Sequence, residues 1–358
     1  MTLPEQCKDS RTLLSFILIT YNQANYILDA LAGVLDQTYS PLEIIIQDDS
    51  STDGTFEIIQ TVLDQYRGPH VVKAIRNTKN LGIARNLEKA FTQSNGSLII
   101  VGAGDDVSIP ERCEILYKAW QESNQQASAL FSCYTFISTS GTEYGISGVQ
   151  SKGKGERFAW PLQGDLKIFL SLRSPMIHGC TAAYSPKLLQ GFGPLYGDLE
   201  DLVLCFRTLA TGELWYVDKP LVKYRRHGSN ACFLGEALPN FESRERRLKR
   251  GNEMTIETYA NILDDITTLE RKGVLSAKMA AELAAEAQHV MVPYELELKL
   301  LKEHSIVNKL IILAKSFRLG YFRGTMLRIP RLLPLSAYRL LYIFRKHLHS
   351  LKSISRNC

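Results

Sequence analysis

Leu42-Glu43-Ile44-Ile45-Ile46-Gln47-Asp48-Asp49-Ser50-Ser51-Thr52-Asp53-Gly54 is a short apolar run that ends abruptly in carboxylates and turn formers. The run has the length of a buried strand, and Asp53-Gly54 suits the turn that follows one. Working towards the N-terminus, Leu14-Ser15-Phe16-Ile17-Leu18-Ile19-Thr20 is another run of strand length, and Ile27, Leu28, Leu31, Val34 and Leu35 then recur at helical spacing. Working towards the C-terminus, Ile59, Val62, Leu63 and Tyr66 recur at helical spacing. A strand over Val71–Ile75, a helix over about 82–92 and a strand over Ser97–Val101 follow. Strands alternating with helical patterns of about 10–15 residues mean βαβ units and a parallel sheet. Strands that are apolar almost throughout mean a sheet covered on both faces. The fold class is therefore α/β: a Rossmann-like, mostly parallel sheet with helices on both faces.

Further along, strands are expected at Ala129–Ile137, Cys180–Tyr184 and Leu221–Tyr224, and helices near 165–172 and 201–209. From Ser243 to about Glu303 the pattern is helical, with breaks near Gly273 and at Pro293. In the last stretch Ala337, Leu340, Leu341, Phe344 and Leu348 share one helical face, with Arg339 and Lys346 roughly opposite.

The 358 residues are 45% hydrophobic and 22% charged, the balance of a folded chain rather than a disordered one. The net charge of +5 is unevenly spread. After Glu303 there are eleven Lys and Arg and no Asp or Glu, which leaves 31 basic against 37 acidic residues before that point. A basic end on a mildly acidic body points to an anionic surface as partner. The seven cysteines form no C-x-x-C pair, so neither a zinc cluster nor a disulfide framework is expected, and reduced thiols are the simple reading. Met1–Glu5 has no basic and apolar regions of a signal peptide, and no apolar run approaches the ~18 residues that span a bilayer. A soluble or peripherally attached protein is expected.

In open parallel sheets ligands bind beyond the carboxyl ends of the strands. Those positions hold Thr20-Tyr21-Asn22, the Gln47–Gly54 turn, Arg76-Asn77 and Gly104-Asp105-Asp106. Adjacent carboxylates after a buried strand repel each other unless something binds them, and a carboxylate accepts the N3–H of uracil or thymine. Asp48-Asp49 suits that task, whereas Asp53 suits a helix cap. Asp105-Asp106, flanked by small residues, lets a divalent cation and a diphosphate approach. Glu200-Asp201 reads either as a charge at a helix N-terminus or as a general base. Tyr224-Arg225-Arg226-His227 reads as a basic strand end or as a diphosphate clamp with a metal-binding imidazole. Arg85 faces phosphates or merely opens a helix.

Taken in this order, the motifs resemble the family 2 glycosyltransferases with their GT-A fold, over roughly residues 13–230. Phe16–Asn22 looks like the family's opening strand, Asp48-Asp49-Ser50-Ser51-Thr52-Asp53 like its D-D-x-S-x-D motif, and Asn80-Leu81-Gly82 with Ala84-Arg85-Asn86 like its N-x-G…A-R-N stretch. Gly104-Asp105-Asp106 occupies the place of its D-x-D motif, although Ala103 stands where the first Asp would be. Glu200-Asp201 matches its E-D motif, and His227 the histidine that completes its metal site. The resemblance implies a nucleotide-sugar site made by Thr20, Tyr21, Asn22, Asp49, Arg85, Asp105, Arg225 and Arg226. It implies a divalent cation, Mg²⁺ or Mn²⁺, at Asp105, Asp106 and His227, and Asp201 as catalytic base of an inverting transfer.

The domains expected are a GT-A catalytic domain over 1–232, a helical extension over 233–303 and a basic amphipathic tail over 304–358. In the first, a nucleotide-sugar half covers about 13–125 and an acceptor half about 126–232. The Q-x-x-R-W motif of processive synthases is missing, which favours transfer of a single sugar from a UDP or dTDP donor. The basic tail fits a lipid-linked or cell-surface glycan acceptor and attachment to the cytoplasmic face of an anionic membrane. Two other readings compete. A nucleotidyltransferase would carry a Gly-rich phosphate loop after the first strand, and Thr20-Tyr21-Asn22-Gln23 is not one. A non-catalytic module binding nucleotide or nucleic acid through the tail is disfavoured by the tail's apolar faces, so no nucleic acid partner is expected.

Overall fold

The computed structural model describes residues 11–147, 159–162, 165–172, 177–189, 191–228, 230 and 241–318. The expected alternation opens the chain as β1 (Leu14–Thr20), α1 (Ile27–Leu35), β2 (Leu42–Asp48), α2 (Thr55–Gln65), β3 (Val71–Arg76), α3 (Ile83–Phe91) and β4 (Ile99–Ala103). Next come β5 (Val107–Ser108), α4 (Arg112–Glu122), β6 (Ala127–Ile137), β7 (Glu143–Ser147), β8 (Ala159–Leu162) and α5 (Leu166–Leu172). After β9 (Ala183–Tyr184) lie α6 (Glu200–Thr211) and β10 (Glu213–Arg225), and the chain continues as α7 (Phe241–Arg271), α8 (Ala277–Lys302) and α9 (Ile306–Arg318).

The strands form one sheet in the order β3-β2-β1-β4-β9-β6-β10-β5, with β7 on β6 and β8 on β10. β3, β2, β1 and β4 run parallel, as do β6 and β10, while β9 is antiparallel to both β4 and β6. Phe16, Leu18, Ile44, Ile46 and Ile100 are buried in one core with Ile27, Leu31 and Val34 of α1, which is why these strands read as apolar almost throughout. Because β1, β2, β3 and β4 point the same way, the turns after Thr20, Asp48, Arg76 and Ala103 share one edge of the sheet.

Three sequence expectations change. Cys180–Tyr184 is not one strand. Thr181 donates both its N–H and its hydroxyl to the His178 carbonyl at 2.8 Å, which closes a 3₁₀ turn over Gly179–Thr181 and leaves a two-residue β9. β10 begins well before Leu221. Pro220, which has no N–H for the ladder, sits where the pairing with β6 shifts register, so the strand passes through it at a bulge. The helical region breaks near Gly273, at φ +71°, but not at Pro293. Pro293 is buried on the same face of α8 as Val290, Leu296 and Leu300, and that packing outweighs one lost helix bond.

The chain divides into two compact units. One is Met1–Ala237 with Glu257–Ala287, and the other is Leu238–Ile256 with Gln288–Cys358. In the first, Tyr259, Ile262, Ile266 and Leu269 of α7 are buried at helical spacing. In the second, α9 buries Leu313 and exposes Val307, Leu310 and Ile311. The amphipathic stretch expected at 337–348 lies outside the described residues. Among the described residues no helix is long and apolar enough to cross a membrane.

Candidate active site

The turn after β2 is built around two carboxylates with different duties. Asp48 is wholly buried, accepts the Ser51 N–H at 2.9 Å and the Ser51 hydroxyl at 2.5 Å, and lies 3.7 Å from Arg76. This folds the turn on itself and places Ser50 at φ +64°. Asp49 reaches the other way. Its Oδ1 accepts from Asn77 Nδ2 and the Leu81 N–H, both at 2.8 Å, and its Oδ2 from the Gly82 N–H at 2.9 Å. Oδ2 keeps acceptor capacity for one more donor. The charge repulsion expected from the sequence is thus met largely by the protein's own donors.

Asn77 is the hinge of this network. Its amide donates to Asp49 and to Asn86 Oδ1 (2.8 Å), and its oxygen accepts from Gln47 (3.0 Å) and Lys89 (2.8 Å). Thr20, Tyr21 and Asn22 lie alongside. Asn22, at φ +51°, accepts the Thr52 N–H at 2.8 Å and donates its own N–H to Ser51, while Tyr21 is 44% exposed. Asp53 accepts the Thr55 N–H at the start of α2 and the Ala24 N–H, both at 3.0 Å. It stands one residue before the cap of α2, which is Gly54 rather than the Asp53 expected, and it ties the two turns together. Arg85 is half exposed, lies 3.8 Å from Glu88, and lines a cleft with Leu81, Ala84 and Tyr196–Asp198.

The turn after β4 meets the end of β10. Gly104 is required there, because an added Cβ would meet Gln23 Oε1 and, at 2.7 Å, Thr20 Oγ1. Asp105 Oδ2 sits 3.0 Å from His227 Nε2, and Asn230 Nδ2 is 3.5 Å from the same oxygen. The His227 ring stacks on Tyr26 at 4.7 Å. Asp106, expected beside Asp105 at a cation, turns inward instead. It accepts the Arg225 N–H at 2.8 Å, and burial beside the Asp105 carboxylate holds its carboxyl well above the usual range. Arg225, expected at the diphosphate, is buried. Its guanidinium donates to the carbonyls of Asp105, Ser138 and Thr139 and pairs with Asp29 at 2.7 Å. These contacts engage the guanidinium within the protein. Arg226 is exposed, with its guanidinium carbon over the Phe136 ring, 4.4 Å from the centroid.

Among the described residues no group of three or more His, Cys, Asp or Glu is arranged to hold a metal. Two donors do converge, the Asp105 carboxylate and the His227 imidazole. An oxygen and a nitrogen ligand fit a divalent cation whose other positions come from diphosphate oxygens and water.

The third part is the start of α6. Asp201 is buried, and burial pushes its carboxyl up to about 6 against the pull of backbone hydrogen bonds from Leu202 and Gly179. Burial and the neighbouring Asp201 hold Glu200 well above the usual range. A Cβ added to Gly179 would stand 3.0 Å from Glu200 Oε1 and 3.8 Å from Asp201 Cβ, so the turn before β9 packs closely on this pair. A carboxyl titrating near 6 is suited to take a proton from an attacking hydroxyl.

Five further residues complete these networks: Asn77, Asn86, Asn230, Asp29 and Tyr26. Asn86 stands in the stretch that carries the resemblance, and Asn77 directly follows β3, so both have a local signal. Asn230, Asp29 and Tyr26 have none, because only tertiary folding brings them to Asp105, Arg225 and His227.

The sequence model described as glycosyl transferase family 2 matches residues 15–192, from β1 almost to α6. An uncharacterised glycosyltransferase of Haemophilus influenzae is 29% identical over 250 residues, 67% of this chain and 73% of that protein. One from Rickettsia prowazekii is 26% identical over 61% of this chain and 65% of its own length. The crystal structure of S. aureus TarS residues 1–349 superposes with a TM-score of 0.50 at 16% identity, covering 80% of this chain and 79% of that one. That likeness is one of fold, and the fold is of GT-A type.

Proposed function

The chain belongs to glycosyl transferase family 2, and on that premise we propose that it moves a single sugar from a nucleotide-sugar to a glycan hydroxyl with inversion. The donor is of the UDP or dTDP kind, and the acceptor is a lipid-linked or cell-surface glycan. The observation that carries this reading is Asp201, a buried carboxyl raised to about 6 at the start of α6 and closed over by Gly179.

In the proposed reaction the acceptor hydroxyl attacks the anomeric carbon from the face opposite the diphosphate. A carbon–oxygen bond forms as the bond to the diphosphate oxygen breaks with its electron pair. The hydroxyl proton passes to Asp201. Asp49, held by Asn77 and the 81–82 backbone, accepts the N3–H of the pyrimidine through Oδ2. Arg85 and Arg226 lie exposed where anionic groups can reach them. Mg²⁺ or Mn²⁺, held by Asp105 and His227, would supply positive charge to balance the diphosphate.

Attachment to an anionic membrane on the cytoplasmic face is part of the proposal. The basic residues after Glu303 and the exposed Val307, Leu310 and Ile311 of α9 support it. Asp201→Asn is expected to bind nucleotide normally by calorimetry and to lose sugar transfer. Transfer near the wild-type rate would remove Asp201 from the role of base.

A further inference from the structure

A row of aromatic rings runs across β7, β6 and β10 and ends at His178, which precedes the Gly179 whose backbone N–H bonds to Asp201. Tyr144 on the edge strand β7 stacks on Phe136 of β6, with centroids 5.7 Å apart and planes 16° from parallel. Phe136 lies 5.1 Å from Tyr134 two residues earlier and 6.2 Å from Tyr224 of β10, and Tyr134 lies 5.3 Å from Tyr224. The row continues from Tyr134 to His178, edge to face at 5.0 Å, where the Tyr134 hydroxyl is 3.3 Å from His178 Nε2. His178 is followed by Gly179, the residue pressed against Glu200 and Asp201.

Pairing explains why the rings meet. Tyr134 and Phe136 are two apart on one strand and so share a face, and Tyr224 is the register partner of Phe136. Tyr134 is buried, and Phe136 and Tyr224 are partly buried. Tyr144 instead keeps 55% of its surface open, and every residue of β7 before Ser147 is exposed. β7 carries the charge usual on an edge strand, Glu143, which pairs with Lys223 at 2.8 Å. It also presents a tyrosine ring lying flat on a second ring.

We propose that this row is the acceptor subsite, and that Tyr144 holds a pyranose ring by its C–H face. The proposal rests on the sugar-transfer reading above. A pyranose with equatorial hydroxyls offers a flat face of polarised C–H groups, which meet the negative face of an aromatic ring. Its rim of hydroxyls stays free for water. The row also sets the length of the acceptor. Three ring-to-ring steps, of 5.7, 5.1 and 5.0 Å, separate Tyr144 from His178. In this arrangement the sugar stacked on Tyr144 is a different one from the sugar that offers its hydroxyl to Asp201. The acceptor is therefore an oligosaccharide, with its reacting sugar near His178 and a sugar further along its chain on Tyr144.

Saturation-transfer NMR on the full chain, with cellobiose, lactose and N,N′-diacetylchitobiose as probes, tests this. At least one disaccharide should receive saturation on ring C–H protons. Tyr144→Ala should weaken it about tenfold, and Tyr144→Phe should retain it. Binding of none of the three, or binding undiminished in Tyr144→Ala, would overturn the subsite. Turnover of nucleotide-sugar without acceptor, measured on the same samples, keeps the two claims apart. It should be unchanged in Tyr144→Ala, whereas its absence from the wild type would count against the sugar-transfer reading itself.

Discussion

At the scale of single residues, Asp201 carries the sharpest predictions. A base that titrates near 6 makes transfer rise with pH through about that value and level off above it. The pH profile of turnover checks this, and a rate falling across the same range would contradict it. The raised value also has a cost in stability. Between 3.8 and about 6 the native state binds more protons at Asp201 than the unfolded chain does, so stability falls as pH rises through that window. Asp201→Asn removes this penalty. The variant should therefore melt higher than wild type at about pH 8, by on the order of 1–3 kcal/mol, while losing transfer. The carboxylate pairs 48–49, 105–106 and 200–201 stand out in the sequence at the ends of strands and the start of a helix, whereas the choice of Asp49, Asp105 and Asp201 within them comes from the family resemblance. The inward turn of Asp106 and the burial of Arg225 are not legible. Each depends on partners far away in sequence, and nothing local distinguishes Asp105 from Asp106.

At the scale of elements, α7 does more than extend the chain. Asp265 pairs with Arg207 of α6 through two bonds, at 2.7 and 2.9 Å, with both side chains 1% exposed. Asn261 accepts the Tyr196 N–H at 3.1 Å, Asp264 accepts the Tyr196 hydroxyl at 2.5 Å, and Lys272 donates to the Gly191 carbonyl. These contacts fix α6 and the 191–199 segment that leads into it. Burial still keeps the Asp265 carboxyl above its ordinary range, so the pair lends alignment more than net stability. Asp265→Ala strands a buried guanidinium and should cost about 3–5 kcal/mol in denaturant titrations, whereas Arg207→Met with Asp265→Leu should cost much less. An equal loss in both would refute this. β1, β2 and β4 are readable from sequence because their buried residues are apolar, whereas β3, none of whose residues is buried, is readable from its place in the alternation. The long β10 is not, since a proline inside a strand reads as its beginning, and the bulge that admits Pro220 is set by β6.

At the scale of the whole molecule, charge is segregated along the chain. The 303 residues up to Glu303 hold every acidic side chain, and eleven cations follow. In α9 the exposed Val307, Leu310 and Ile311 recur at the spacing of one helical face, beside the exposed Lys315. Vesicles rich in phosphatidylserine should sediment the full chain and fail to sediment a chain truncated after Glu303, with the difference shrinking as salt rises. Equal sedimentation of both would remove the membrane from the account. The central claim is the nucleotide-sugar chemistry, and one measurement tests it most directly. A panel of nucleotide-sugars is incubated with the full chain and Mg²⁺ or Mn²⁺, and release of nucleoside diphosphate is followed with Asp105→Ala alongside. Slow release from a UDP- or dTDP-sugar, lost in Asp105→Ala, is the predicted result. No release from any donor, or release undiminished in Asp105→Ala, would contradict it.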